Sequence, residues 1–205
     1  MKNLFLDPQK PLATCTSNNC QGCVLKNDLQ CHFSSRELLR FLGIAFPVFI
    51  IGGIGIARVN AWMLIPWLVI SFCYFGFIEI RVMCSHCPHY AEPGTKSLQC
   101  WANYGSPKLW KYRPGPMSTK EKVMFFSGLV LIAGIPLVVI LLGMVWLWLI
   151  LFIVSVLTMG TLMSNFMCNR CTNFACPFNH VELKMRKAFF DRNPTIANAW
   201  KGDPS

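Results

Sequence analysis

Residues 123–169 read VMFFSGLVLIAGIPLVVILLGMVWLWLILFIVSVLTMGTLMSNFMCN, a run of 47 residues without one Asp, Glu, Lys or Arg. As a single helix rising about 1.5 Å per residue it would be a rod of about 70 Å, over twice the hydrocarbon thickness of a bilayer. The run therefore folds back on itself, and Leu142-Gly143-Met144 is the natural turn. Two more charge-free runs lie upstream, Phe41–Ala57 of 17 residues and Ala61–Ile78 of 18. The sequence predicts four transmembrane helices, at about 38–57, 61–80, 121–141 and 145–165. The expected fold is an all-α integral membrane protein of two hairpins carrying a Cys-rich cytoplasmic metal-binding layer.

Composition agrees. The chain has 205 residues, 54% hydrophobic and only 14% charged, where soluble domains carry about 25% charge. A soluble protein of this size has too much surface to hide so much apolar sequence. The opening MKNLFLDPQK has no apolar core of a secretory leader. One domain is expected, organised as an N-terminal Cys-rich tail (1–37), hairpin 1 (38–80), a Cys- and aromatic-rich loop (81–120), hairpin 2 (121–165) and a C-terminal Cys-rich segment (166–205).

An even number of spans puts both termini on one side. Of the 19 Lys and Arg, all but Arg58 fall in residues 1–40, 80–122 and 166–205, as do eight of the nine acidic residues, the ninth, Glu79, lying just before 80 at the same end of span 2. The positive-inside rule predicts a multi-pass protein of the cytoplasmic (inner) membrane with both termini in the cytoplasm. The net charge of +10 then reads as topology and contact with anionic lipid, not as a nucleic-acid surface.

The thiols follow the same division. Cys15, Cys20, Cys23 and Cys31 lie in the tail, Cys84, Cys87 and Cys100 in the loop, and Cys168, Cys171 and Cys176 in the last segment; only Cys73 lies within a span. The cytoplasm keeps thiols reduced, so metal ligation or redox chemistry is expected over a disulfide scaffold.

Each hairpin ends in the same signature. RVMCSHCPHY (81–90) and NFMCNRCTNF (165–174) both place Met-Cys-x-x-Cys at the end of an apolar run, with a third Cys further on. Both exits face one side, so the repeat is parallel. Two Cys-x-x-Cys pairs can supply a tetrahedral thiolate site, and Cys84, Cys87, Cys168 and Cys171 are the first expected ligands. Cys100 and Cys176 extend the set, and His180 can complete a Cys3His site with Cys168, Cys171 and Cys176. Cys15-x4-Cys20-x2-Cys23 has the spacing of plant-type ferredoxins, followed by Cys31, and Cys176-Pro177 has the Cys-Pro ending of bacterial iron–sulfur runs. Iron–sulfur cluster and zinc are equal expectations. The leading function is membrane electron transfer to a quinone or a partner redox protein. A structural zinc protein acting in a complex is the alternative.

Four membrane helices with Cys-x-x-Cys at a span end resemble, in layout, the quinone-linked thiol oxidoreductases of the DsbB and vitamin K epoxide reductase type. That resemblance implies thiol–disulfide exchange, although those enzymes work on the oxidising side. HCPHYAEPG (86–94) is similar to the His-Pro-x-Tyr stretch of membrane isoprenylcysteine methyltransferases, with Pro and His in the other order.

Three local expectations remain. Trp101, Tyr104, Trp110 and Tyr112, interleaved with Lys108, Lys111 and Arg113, suit an interfacial belt or a cover over a metal site. Ser118 with Glu121 reads as a capping box opening span 3. Asn179 is expected to cap a basic amphipathic helix over 180–192, lying on lipid headgroups and ended by Asn193-Pro194. The sequence has no phosphate-cradling Gly loop, no Ser-His-Asp set and no carboxylate pair in mid-membrane.

Overall fold

The computed structural model describes residues 11–201. The opening decapeptide, read above as lacking a leader, lies outside them. Among the described residues the regular structure is helical: α1 (Ser35–Asn60), α2 (Leu64–Cys73), α3 (Glu79–Val82), α4 (Thr119–Leu142), α5 (Trp146–Phe166), α6 (Leu183–Arg192) and α7 (Pro194–Lys201). Three helical stretches are long and apolar enough to cross a membrane: Ser35–His86, Thr119–Leu142 and Trp146–Arg170. They expose large apolar side chains such as Phe46, Ile50, Phe72, Val130, Leu147 and Leu157. Apolar surface on this scale marks contact with lipid.

The first stretch, 52 residues long, is not one straight rod. At Asn60 the backbone is extended (φ −157°, ψ 108°), and the Asn60 side chain accepts from Trp62 N at 3.0 Å. The chain reverses there. The Phe49 ring stacks on Trp67 with centroids 5.8 Å apart and meets Phe75 edge-on at 5.8 Å. A side chain at Gly53 would touch Trp67 and Leu64. The α4–α5 turn is equally tight: Gly143 N donates back to Val139 O at 3.0 Å, and Met144 takes φ 53°. The capping box is present, with Ser118 N donating to Glu121 Oε2 at 2.9 Å.

Two buried polar hydrogen bonds tie the helices together. Trp67 Nε1 donates to Ile132 O at 3.0 Å, and Tyr74 OH donates to Phe125 O at 2.7 Å. Each aims a donor at a helical carbonyl across an otherwise apolar contact, where an unpaired polar group would be costly. Tyr74 opens a π-helical turn, Tyr74–Ile78, joining α2 to α3. Nothing in the sequence announced it.

Two expectations about the C-terminal segment are corrected. Asn179 does not cap a helix. It donates to Cys171 O and Asn173 O at 2.7 and 3.1 Å and accepts from Val181 N, so α6 begins only at Leu183. The apolar face of α6 does not lie on lipid either. Phe189 is buried with Leu12, Leu25, Leu29, Phe174 and Ile196, and Val181, Met185 and Ala188 pack against that cluster. The N-terminal tail supplies half of this small core. Asn193 does end α6, but Pro194 then opens α7, where its fixed φ and missing N–H suit a first helical turn.

Candidate metal centre

The two Cys-x-x-Cys pairs adopt the same local path. Each first Cys opens a 3-10 turn, Cys84–His86 and Cys168–Arg170. Each second Cys is extended, Cys87 at φ −74°, ψ 140° and Cys171 at φ −77°, ψ 131°. The segment Cys84–Tyr90 is buried without interruption. Arg113 pins this segment to α4: its Nη2 donates to Arg81 O at 2.6 Å and Ser85 Oγ at 2.9 Å, while Nη1 pairs with Glu121. Asn173 Nδ2 donates to Met83 O at 3.2 Å and so joins the second unit to the first.

Within this layer the thiols of Cys87, Cys100, Cys171 and Cys176 form a neighbourhood. Burial raises the pKa of Cys171 well above its ordinary value, and Cys87, Cys100 and Cys176 beside it raise it further. Burial and then Cys100 push Cys87 up, Cys176 adding less. Cys176 is pushed up to about 12, chiefly by burial. Burial also raises Cys100.

Against that trend, the main-chain amide two residues further on lowers each of the four: His89 for Cys87, Ala102 for Cys100, Asn173 for Cys171 and Phe178 for Cys176. Such donors favour the thiolate. Burial thus keeps these thiols protonated, while the neighbouring main-chain amides favour the thiolate. Unit one supplies two of the thiols and unit two the other two, in each case the second Cys of the pair and the Cys that follows it.

The remaining expected ligands stand differently. Cys84 is within electrostatic reach of Cys87, Cys100 and Cys176, and accepts from Asn103 Nδ2 at 3.2 Å. It is buried with Ile80, Tyr90 and Leu98, a cluster on which Trp110 and Tyr112 pack. Those two rings therefore pack beside Cys84. Cys168 acts on Cys176. His180 is exposed, its Nδ1 2.8 Å from Phe178 O and 3.5 Å from Ser164 Oγ. Cys15, Cys20, Cys23 and Cys31 form a second neighbourhood in the tail, where burial and then the other three thiols raise Cys31 to about 12. Among the described residues no three His, Cys, Asp or Glu side chains converge on one point as they stand.

Sequence reasoning missed the main-chain amides beside these thiols, and the Cys87-Pro88 and Cys176-Pro177 steps were the signal near two of them. His89 beside Cys87 is 1% exposed, and its Nε2 is 3.3 Å from Gln30 O. The chain matches no family model, no curated protein and no solved structure with which it was compared.

Proposed function

We propose that this is a four-span protein of the cytoplasmic membrane, with both termini and the clustered thiols on the cytoplasmic side, that transfers electrons through a thiolate-ligated iron–sulfur centre. The ligands are Cys87, Cys100, Cys171 and Cys176. A membrane quinone or a partner redox protein completes the reaction. The observation that carries the metal reading is the meeting of buried thiols from two separate chain segments, each raised by burial and each lowered by a nearby main-chain amide. Support for four crossings comes from the reversal at Asn60 and from the fall of every Lys and Arg but Arg58 in segments that four crossings would put on one side.

Iron–sulfur is favoured over zinc because these thiols are raised by burial beside apolar spans, a low-dielectric setting that suits a redox cofactor. Zinc is the competing occupant, since the quartet takes two thiols from each of two chain segments and would clip them together. Anaerobic purification in detergent separates the two. A brown protein with acid-labile sulfide and a reversible reduction by quinol supports electron transfer. A colourless protein with stoichiometric zinc makes the centre structural and ends the redox reading.

A further inference from the structure

The last two helices open a pocket at the foot of an apolar span. On α6, Lys187, Phe190 and Asp191 recur three and four residues apart and share one face, and on α7 Pro194, Ala197, Asn198 and Lys201 do the same. Asn193 sets the angle between the two faces. Its Nδ2 donates to Phe189 O at 2.8 Å, and its carbonyl accepts from Ile196 N and Ala197 N at 3.0 Å. Together with Trp200 these residues line a cavity of about 480 Å³. Phe189 and Ile196 anchor the two helices in the small core described above, so the walls are set before any ligand arrives. Arg186 braces them. Its guanidinium lies 4.2 Å from the centroid of the Trp200 ring and 5.3 Å from that of Phe190, a cation–π contact that ties α6 to α7.

The pocket's place is fixed by α4. Trp200 also packs against the cluster of Tyr74, Met117 and Phe125, and a Cβ at Gly115 would stand 3.4 Å from Ala199 O. So α7 rests on residues 115–117, directly before α4 begins. Because α4 is long and apolar enough to cross a membrane, its first turn marks the level of lipid headgroups, and Lys120 and Lys122 are exposed there. Lys187, Asp191 and Lys201 are exposed as well. Among the described residues none of these three forms an ion pair. Two ammonium groups against one carboxylate leave a single positive charge, which a phosphodiester monoanion matches. The Asp191 carboxylate would repel bare phosphate but accepts from a hydroxyl, and the Asn198 amide both donates and accepts.

We infer that this pocket binds the headgroup of an anionic phospholipid, with the phosphodiester between Lys187 and Lys201 and headgroup hydroxyls on Asp191 and Asn198. Phosphatidylglycerol has that chemistry, a single negative charge and free hydroxyls. A soluble phosphate ester shares the phosphate, but a pocket at the foot of α4 meets lipid headgroups first.

The test uses full-length protein in detergent, titrated with phosphatidylglycerol or with phosphatidylcholine of the same acyl chains, and bound lipid is counted by native mass spectrometry. Wild type is expected to hold one phosphatidylglycerol in preference to phosphatidylcholine. Lys187→Gln/Lys201→Gln is expected to weaken that binding about tenfold, through loss of charge-assisted hydrogen bonds to the phosphate. Lys26→Gln/Lys96→Gln removes the same charge from exposed positions elsewhere and is expected to bind as wild type does. Equal loss in both variants, or no preference in wild type, makes the effect one of surface charge alone and overturns the site. Asp191→Ala is expected to weaken phosphatidylglycerol but not phosphatidic acid, which lacks the glycerol hydroxyls. Equal tightening of both lipids overturns the hydroxyl contact. Excess glycerol 3-phosphate is expected to leave the lipid bound. Its displacement would make the ligand a soluble phosphate ester and overturn the lipid assignment.

Discussion

Met83 and Met167 carry nearly the same backbone angles, φ −118° in both and ψ −55° and −50°. Each follows a helical turn closed by its own N–H, donated to Glu79 O at 2.8 Å and to Met163 O at 3.0 Å. Each then throws the chain into a 3-10 turn that presents a pair of thiols. Two hairpins thus end in one device, and the device brings Cys87 and Cys171 together rather than all four pair members.

Ligand loss follows that division. Cys87→Ser, Cys100→Ser, Cys171→Ser and Cys176→Ser are each expected to empty the proposed centre, because each removes one of its four thiols. Cys168→Ser is expected to retain the metal, since Cys168 acts only on Cys176 within the set. Cys73→Ser, exposed on α2, is the control. Elemental analysis of the purified variants decides it. An empty Cys168→Ser protein would return that residue to the ligand set.

Gly128 lies where α4 meets Tyr74, and a Cβ there would fall inside the Tyr74 ring. The ring cannot swing away freely because its hydroxyl is bonded to Phe125 O. Gly128→Ala is expected to destabilise the protein by about 1–3 kcal/mol through overpacking. Gly134→Ala meets nothing within 4 Å and is expected to change stability by less than about 0.5 kcal/mol. Thermal unfolding of the two variants in detergent compares them directly. Equal midpoints would contradict the α4–Tyr74 contact.

The metal-free protein should be sensitive to alkali. Burial, followed by neighbouring thiols, raises Cys31 from its ordinary 9.0 to about 12. Burial likewise raises Cys176 to about 12. Between those values the unfolded chain has released protons that the folded chain still holds. The stability from these groups is whole below the unfolded pKa and is lost as pH rises through the folded one. Chelator-stripped protein should therefore unfold at steadily lower temperature from about pH 9 to about 12, the window of these two shifts. Unfolding midpoints that do not move across this window would mean that the thiols are not held in a charge-excluding environment.

Orientation is open to labelling in intact cells. Trp62 and Met144 are 78% and 72% exposed, one at each hairpin turn. Trp62→Cys and Met144→Cys are expected to react with a membrane-impermeant thiol reagent from outside, while the native cysteines stay silent. Labelling of Cys100 or Cys176 in intact cells would reverse the topology and place the thiols in an oxidising compartment.

The sequence alone determined the membrane character of this protein. A charge-free run of 47 residues is too long for one crossing and too apolar for water. The Ser118–Glu121 capping box and the turn at Gly143 were equally legible, because each depends on residues within a few positions of one another. The grouping of the thiols was not. Cys100 joins Cys87, and Cys176 joins Cys171, through loops whose path is set by Arg113 on Arg81 O and by Asn173 on Met83 O. No periodicity encodes such contacts. The apolar face of α6 could be read as a stripe, but a stripe does not name its partner. Lipid headgroups and the leucines of the N-terminal tail satisfy it equally well. Only the tertiary structure chose the tail, because Leu12, Leu25 and Leu29 bury themselves there together with Phe174 and Ile196. That contact also brings Gln30 to the Arg170 carbonyl and to the His89 ring.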